Sequence, residues 1–175
     1  MEWMQQFLAD FIKENTPVVV AKNQYLLREG EIEKNVYFIV DGAVRIFLVT
    51  EHEEHTIRFA YKNSVFTSLN SFISGRPSEF YLQALRKTSV YCIPKAYFIQ
   101  AVTATQESVT AYNEMLKDLI VQQMEREVDL LTHSPAERLK RVMERSPQLF
   151  QEIPSKYIAS YLRMTPETLS RIRIS

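Results

Sequence analysis

The spacing of apolar positions divides the chain into stretches of different period. In residues 1–14, Trp3, Met4, Phe7, Leu8, Phe11 and Ile12 recur at helical spacing, which predicts an amphipathic helix ended by Thr16-Pro17. From Val18 the period shortens. Runs at Val18–Ala21, Tyr25–Leu27, Val36–Val40, Ala43–Val49, Thr56–Tyr61, Tyr81–Ala84 and Ser89–Ile93 predict strands, with turn residues between them. Asp41-Gly42 predicts a hairpin between Tyr37–Val40 and Ala43–Ile46. Short strands at near-regular spacing indicate a barrel, roll or sandwich.

Beyond Pro94 the helical period returns. Ala96–Leu131 contains neither glycine nor proline, and Val109, Tyr112, Leu116, Leu119, Gln123, Arg126 and Leu130 keep a three-four spacing. This predicts one long helix with a narrow apolar seam. The seam either packs on the β-domain or pairs with a second copy. Its width favours a dimer through Val109, Tyr112, Leu116, Leu119 and Ile120. Ser134-Pro135-Ala136-Glu137 predicts a new helix, with Ser134 as cap, Pro135 at its first position and Glu137 completing a capping box. Leu139, Val142 and Met143 form its apolar face, and Ser146-Pro147 stops it.

The stretch SKYIASYLRMTPETLSRI reads as two short helices around a tight turn. Ile158, Ala159, Leu162, Met164, Leu169 and Ile172 make its buried set, and the small Ala159 permits a close crossing. Thr165 caps the second helix, whose polar face carries Pro166, Glu167, Ser170, Arg171 and Arg173. Spacing alone fits a plain helical hairpin and a DNA-reading helix-turn-helix equally. Arg163 stands in the turn, where glycine is the usual choice. The second helix has about two or three turns before Ser175, so a shortened DNA-reading element is expected.

Composition narrows the classes. The 175 residues carry equal numbers of acidic and basic groups, but the charge is uneven: residues 134–175 hold eight Lys/Arg against four Glu. A basic end on an acidic body points to nucleic acid. No apolar run is long enough to span a bilayer, and the first residues lack a basic, cleavable leader pattern, so a cytoplasmic protein without membrane contact is expected. One cysteine, Cys92, excludes an intrachain disulfide and argues against a thiolate-held cluster. With three glycines, phosphate-cradling loops are nearly excluded.

The order of helix, β-roll, long helix and helix-turn-helix resembles the Crp/Fnr family of bacterial transcription regulators. The residues that carry the resemblance are Gly30-Glu31, Val36-Tyr37-Phe38-Ile39-Val40-Asp41-Gly42-Ala43-Val44 and IASYLRMTPETLSRI. It implies an α+β fold: an N-terminal helix, an antiparallel cyclic-nucleotide-binding-like β-roll, a long dimerisation helix and a C-terminal helix-turn-helix. The divisions are a sensor at 1–104, a dimerisation helix at 105–133 and a DNA-binding domain at 134–175. By position, Glu167 and Arg171 are implied to read bases, and Thr165, Thr168 and Ser170 to contact or support phosphate. Lys156 and Arg173 are expected on phosphates. The implied partners are a palindromic DNA duplex, a second copy, RNA polymerase and an unidentified small-molecule effector.

The ligand stretch departs from the family. Phe66, Leu69, Gly75, Pro77 and Ala84 keep its frame, but Ser68 stands where a ribose-binding Glu is expected and Ser78 where a phosphate-binding Arg is expected. Arg76, two residues away, and Glu79 do not restore that pattern. A buried phosphate without a paired cation is costly, so cyclic AMP is not expected, and no cofactor or metal is implied. His52-Glu53-Glu54-His55 is the one metal-like cluster, and a solvated hairpin tip is its simpler account. Three readings stay open: a homodimeric DNA-binding regulator that is not an enzyme, a ligand-sensing dimer with an incomplete DNA-reading element, and a cupin-like metalloenzyme.

Overall fold

A computed structural model describes residues 2–51 and 53–174. Helix α1 (Glu2–Glu14) precedes β1 (Val18–Val20), β2 (Tyr25–Leu27), β3 (Asn35–Asp41), β4 (Ala43–Thr50), β5 (Glu53–Tyr61) and β6 (Val65–Phe66). A short α2 (Leu69–Ser74) leads to β7 (Tyr81–Ala84) and β8 (Thr88–Pro94). The strands form two antiparallel sheets, ordered β1-β8-β3-β6 and β2-β7-β4-β5. Val20, Ile39, Val44, Leu82 and Val90 belong to one buried cluster contributed by both. The expected α+β class and β-roll are therefore present.

Asp41-Gly42 is not the expected hairpin. β3 and β4 lie in different sheets, and the chain turns a corner between them. Gly42 has φ +106°, and a Cβ there would meet Thr88 Oγ1 at 2.4 Å. Only glycine permits so close an approach, and Thr88 Oγ1 instead accepts from Ala43 N–H at 3.2 Å.

The single helix expected from Ala96 to Leu131 is also divided. α3 (Lys95–Val102) buries Phe98 and Val102, and α4 (Gln106–Leu131) begins afresh. Thr105 Oγ1 accepts from Ser108 N–H, and Ser108 Oγ accepts from Thr105 N–H, a complete capping box. That reciprocal pair restarts the helix without glycine or proline. Phe98 meets Tyr112 of α4 edge-on at 6.0 Å, so the start of α4 packs on the sensor.

Among the described residues four helices follow: α5 (Pro135–Arg145), α6 (Leu149–Glu152), α7 (Ser155–Tyr161) and α8 (Pro166–Ile174). Ser134 caps α5 by accepting from Glu137 N–H at 3.3 Å. The return bond expected from the Glu137 carboxylate is not made among the described residues. Leu139 and Val142 are buried, whereas Met143, expected beside them, is exposed. Leu149, Ile153, Ile158, Ala159, Leu162 and Leu169 complete this core, which also takes in Ala43 and Leu85 of the sensor. Truncating a fully buried leucine such as Leu162 to alanine costs about 2–5 kcal/mol. Among the described residues no helix is long and apolar enough to cross a membrane.

Candidate functional site

Helices α7 and α8 meet in a helix-turn-helix. Arg163 adopts φ 55°, the left-handed conformation that the turn requires. Met164 N–H donates to Ala159 O at 3.0 Å and Arg163 N–H to Ser160 O at 3.1 Å, the paired bonds of a left-handed helix stop. Arg138 of α5 fixes this corner by donating to Leu162 O at 3.0 Å and Arg163 O at 3.3 Å. Thr165 caps α8 as expected, accepting from Thr168 N–H at 3.2 Å and meeting the Thr168 hydroxyl at 3.1 Å.

Pro166, Glu167, Ser170 and Arg171 are exposed on α8, and Thr168 is half-buried. The Glu167 backbone N–H and the Thr165 hydroxyl hold the Glu167 carboxyl below its usual range, so it stays anionic at the helix start. Arg173 leans toward the body: its Nη1 meets Ser155 Oγ at 3.4 Å, and its guanidinium lies 5.8 Å from the Phe150 ring. Lys156 is exposed at the start of α7, its Nζ 4.6 Å from the Tyr157 ring.

The helix-turn-helix is seated on β5. Thr56 N–H donates to Ser160 Oγ at 3.3 Å, and Arg163 Nη1 donates to His55 Nδ1 at 2.6 Å. Buried Arg45 bonds Glu54 at 2.6 Å and lies between the Phe47 and Tyr157 rings. His55 Nε2 pairs with Thr50 Oγ1, so both ring nitrogens of His55 are engaged. His52 of the metal-like cluster lies outside the described residues. Among those described, no group of three or more metal-ligating side chains is assembled.

The α2 segment holds the sequence-marked ligand residues. Ser68 and Ser78 are buried, and their hydroxyls bond each other at 2.8 Å. Ser78 Oγ also donates to Phe80 O and accepts from Phe80 N–H, both at 3.0 Å. Below them lies Glu33, 1% exposed. Its carboxylate accepts from the backbone N–H groups of Lys34 and Asn35 at 3.0 Å, the Tyr37 hydroxyl at 3.1 Å and Ser68 N–H at 3.3 Å. Burial pushes the Glu33 carboxyl above its usual range, while those donors pull it back. Gly75 ends α2 at φ 70°, and Arg76, Pro77 and Glu79 are exposed at the rim. Phe66, Thr67 and Leu69, on either side of Ser68, line a groove.

That groove, of about 570 Å³, lies between β5, β6, α4 and α7. Tyr112, Leu116 and Leu119, expected in a dimer seam, line it, and Val109 is half-buried nearby on the same helix. Ile120 lies in a different stripe with Val121, Met124, Val128 and Leu131, all between 48% and 72% exposed. The helical period therefore marked chiefly the inward face of α4. Sequence reasoning also passed over Glu33, Arg58, Arg126 and Asp129. Arg126 follows the seam spacing as a polar member, which was its only signal. Asp129 is fully buried and binds Arg141 at 3.0 Å and Arg145, tying α4 to α5.

A family profile described as cyclic nucleotide-binding domain matches residues 17–105. The fold is similar to FixK2 from Bradyrhizobium japonicum, with a TM-score of 0.76, 20% identity, and 91% of this chain and 82% of that chain covered. It is also similar to a CooA mutant from Carboxydothermus hydrogenoformans, with a TM-score of 0.72, 19% identity, and coverage of 94% and 77%. The Thermus thermophilus catabolite activator protein matches with a TM-score of 0.58, 16% identity, and coverage of 97% and 81%. No curated protein matches the chain in sequence.

Proposed function

The chain belongs to the cyclic nucleotide-binding domain family and has the fold of Crp/Fnr regulators, and on that premise we propose that it is a homodimeric, sequence-specific DNA-binding transcription regulator whose β-roll does not respond to cyclic AMP. The observation that carries this reading is the helix-turn-helix corner. Arg163 in the left-handed turn, the buried Ala159 crossing and the Thr165 cap hold α8 with Glu167, Ser170 and Arg171 exposed at its outer face. Glu167 and Arg171 are four apart, one helical turn, so both face one groove floor. Lys156 and Arg173 supply phosphate contacts. The stripe from Ile120 to Leu131 is an apolar surface for a second α4, and Val109 and Leu116 border it. A cytoplasmic location and a contact with RNA polymerase follow from the same role.

The exclusion of cyclic AMP rests on the α2 segment. Ser68 and Ser78 satisfy each other, and the buried anion beneath them is the chain's own Glu33. A cyclic phosphate would meet a carboxylate where it needs a cation.

The test is selection from random duplexes with the full-length protein. A palindrome with half-sites roughly 10 base pairs apart is expected. Arg171→Ala should then lose about 1–3 kcal/mol of discrimination at one position in each half-site. An unstructured pool, or a palindrome indifferent to Arg171→Ala, would remove the reading. Calorimetric titration with cyclic AMP should give no saturable heat. A micromolar dissociation constant, about −8 kcal/mol, would overturn that part alone.

A further inference from the structure

We propose that Arg138 is the positioning residue that carries the geometry of α4 to the DNA-reading helix, and that it thereby sets the half-site spacing the protein accepts. Its guanidinium binds two helix ends at once. On one side Nη1 donates to Thr132 O at 2.6 Å and His133 O at 3.2 Å, just past the end of α4. On the other, Nε donates to Leu162 O at 3.0 Å and Nη2 to Arg163 O at 3.3 Å, in the turn that precedes α8. Carbonyls at a helix end have no partner within the helix and carry the negative end of its dipole. A planar cation with five N–H donors answers both ends in one fixed geometry. These acceptors are all main-chain oxygens, so the fork holds the backbone itself and not side chains that could swing away.

The joint on the α4 side is stiff for a second reason. Arg138, Arg141 and Arg145 fall on one stripe of α5, at spacings of three and four. Arg141 donates to Asp129 at 3.0 Å, and Arg145 binds Asp129 as well as Glu125 at 3.4 Å. Asp129 is fully buried, so α5 is bound to the end of α4 by ion pairs that water and salt screen little. Arg138 is the member of this stripe that reaches onward to the helix-turn-helix. α4, α5 and the Arg163 turn are therefore held as one body, and Arg138 is where that body can be cut. Removing its guanidinium leaves Leu139 and Val142 in the core and the Asp129 pairs in place. α5 then keeps its seat, while the turn before α8 loses its polar link to α4. Moving a half-site by one base pair shifts it by about 3.4 Å and rotates it by about 34°. A rigidly held α8 cannot follow that step, and a loosened one can. The spacing role rests on the dimeric regulator reading above; the positioning role is measured without DNA.

Two measurements on the full-length protein test this. The first is amide hydrogen exchange without DNA. Arg138→Met keeps an unbranched apolar stem and removes every donor. The Arg163 and Met164 N–H groups close the turn on Ser160 O and Ala159 O. Their exchange should accelerate at least about tenfold, the value of one charge-assisted hydrogen bond, with α4 unchanged. The second is affinity for duplexes carrying the selected half-sites at the selected spacing, and one base pair shorter or longer. The unmodified protein should prefer the selected spacing by at least about tenfold, and Arg138→Met should cut that preference to about threefold or less. Arg138→Lys keeps the charge without the fork, so it should resemble Arg138→Met in both readouts. If Arg138→Met does not fold, Arg138→Lys decides. Unchanged exchange at the turn, acceleration spread equally over α4, α5 and α8, an unaltered spacing preference, or an Arg138→Lys protein that behaves as the unmodified one would overturn the inference. If the unmodified protein selects no palindrome, the regulator reading fails and the spacing role falls with it, whereas exchange at the turn still decides whether Arg138 positions α8.

Discussion

Around α2, four donors converge on the Glu33 carboxylate and the Ser68 and Ser78 hydroxyls close on each other. Along the seam where β5 and α4 meet α7, two buried polar atoms, Thr56 Oγ1 and Arg126 Nη1, have no partner. Among the described residues these are the only such side-chain atoms, and both sit on elements that touch the helix-turn-helix. The contrast separates a polar cluster built for stability from one left open. Where donors and acceptors are matched inside the chain, nothing is gained by admitting a ligand. Where a buried cation is unmatched, the fold carries an unsatisfied donor at a cost in stability.

The largest expected effect tests the closed side. Glu33→Ala leaves the Lys34, Asn35 and Ser68 N–H groups and the Tyr37 hydroxyl without their acceptor. Each orphaned buried donor costs about 1–3 kcal/mol, so urea denaturation should show a loss of about 3 kcal/mol or more. A loss below about 1 kcal/mol would mean the carboxylate does not organise this region. Ser78→Ala comes next. It removes the partner of Ser68 and of Phe80 N–H, and should cost about 1–2 kcal/mol while leaving the fold intact. If Ser78→Ala creates measurable affinity for cyclic AMP, the two serines block the site rather than merely fail to bind there.

The polar networks were far less legible than the fold. Periodicity is a property of single elements, so it located α1, most strands and the buried positions of α7 and α8. It missed β6, α2 and α6, which are too short to repeat. It failed at Gly42 because a glycine after an aspartate fits both a hairpin and a corner, and only the Thr88 contact from a distant strand decides. Likewise, nothing local marks Thr103–Thr105 as a break until Ser108 is seen to return the cap. Ser68 and Ser78 could be singled out because a resemblance gave them expected identities. Arg126 could not, since its partner Tyr161 is 35 residues away, and neither could Glu33, whose burial depends on Ser68, also 35 residues away.

The smallest expected effect has the opposite sign and bears on the open side. Thr56 is 2% exposed, and its hydroxyl is unbonded while its backbone N–H donates to Ser160 Oγ at 3.3 Å. Thr56→Val exchanges that hydroxyl for a methyl group of similar size and leaves the backbone bond in place. Burying an unbonded hydroxyl costs about 1–3 kcal/mol on mutational scales, and valine suits a strand at least as well as threonine. Part of the gain is lost if the methyl packs imperfectly, so the variant should be more stable by about 1 kcal/mol. A domain of this size should then melt about 2–4 °C higher. The same logic applied to the α2 segment predicts the reverse: Ser68→Val should destabilise, because the Ser68 hydroxyl has a partner. Differential scanning calorimetry on both variants makes the comparison directly. If Thr56→Val loses about 1 kcal/mol instead, the Thr56 hydroxyl is satisfied in solution, and the seam is as well matched as the α2 segment. A gain in Thr56→Val beside a loss in Ser68→Val would place the unmet polar groups where the sensor meets the helix-turn-helix.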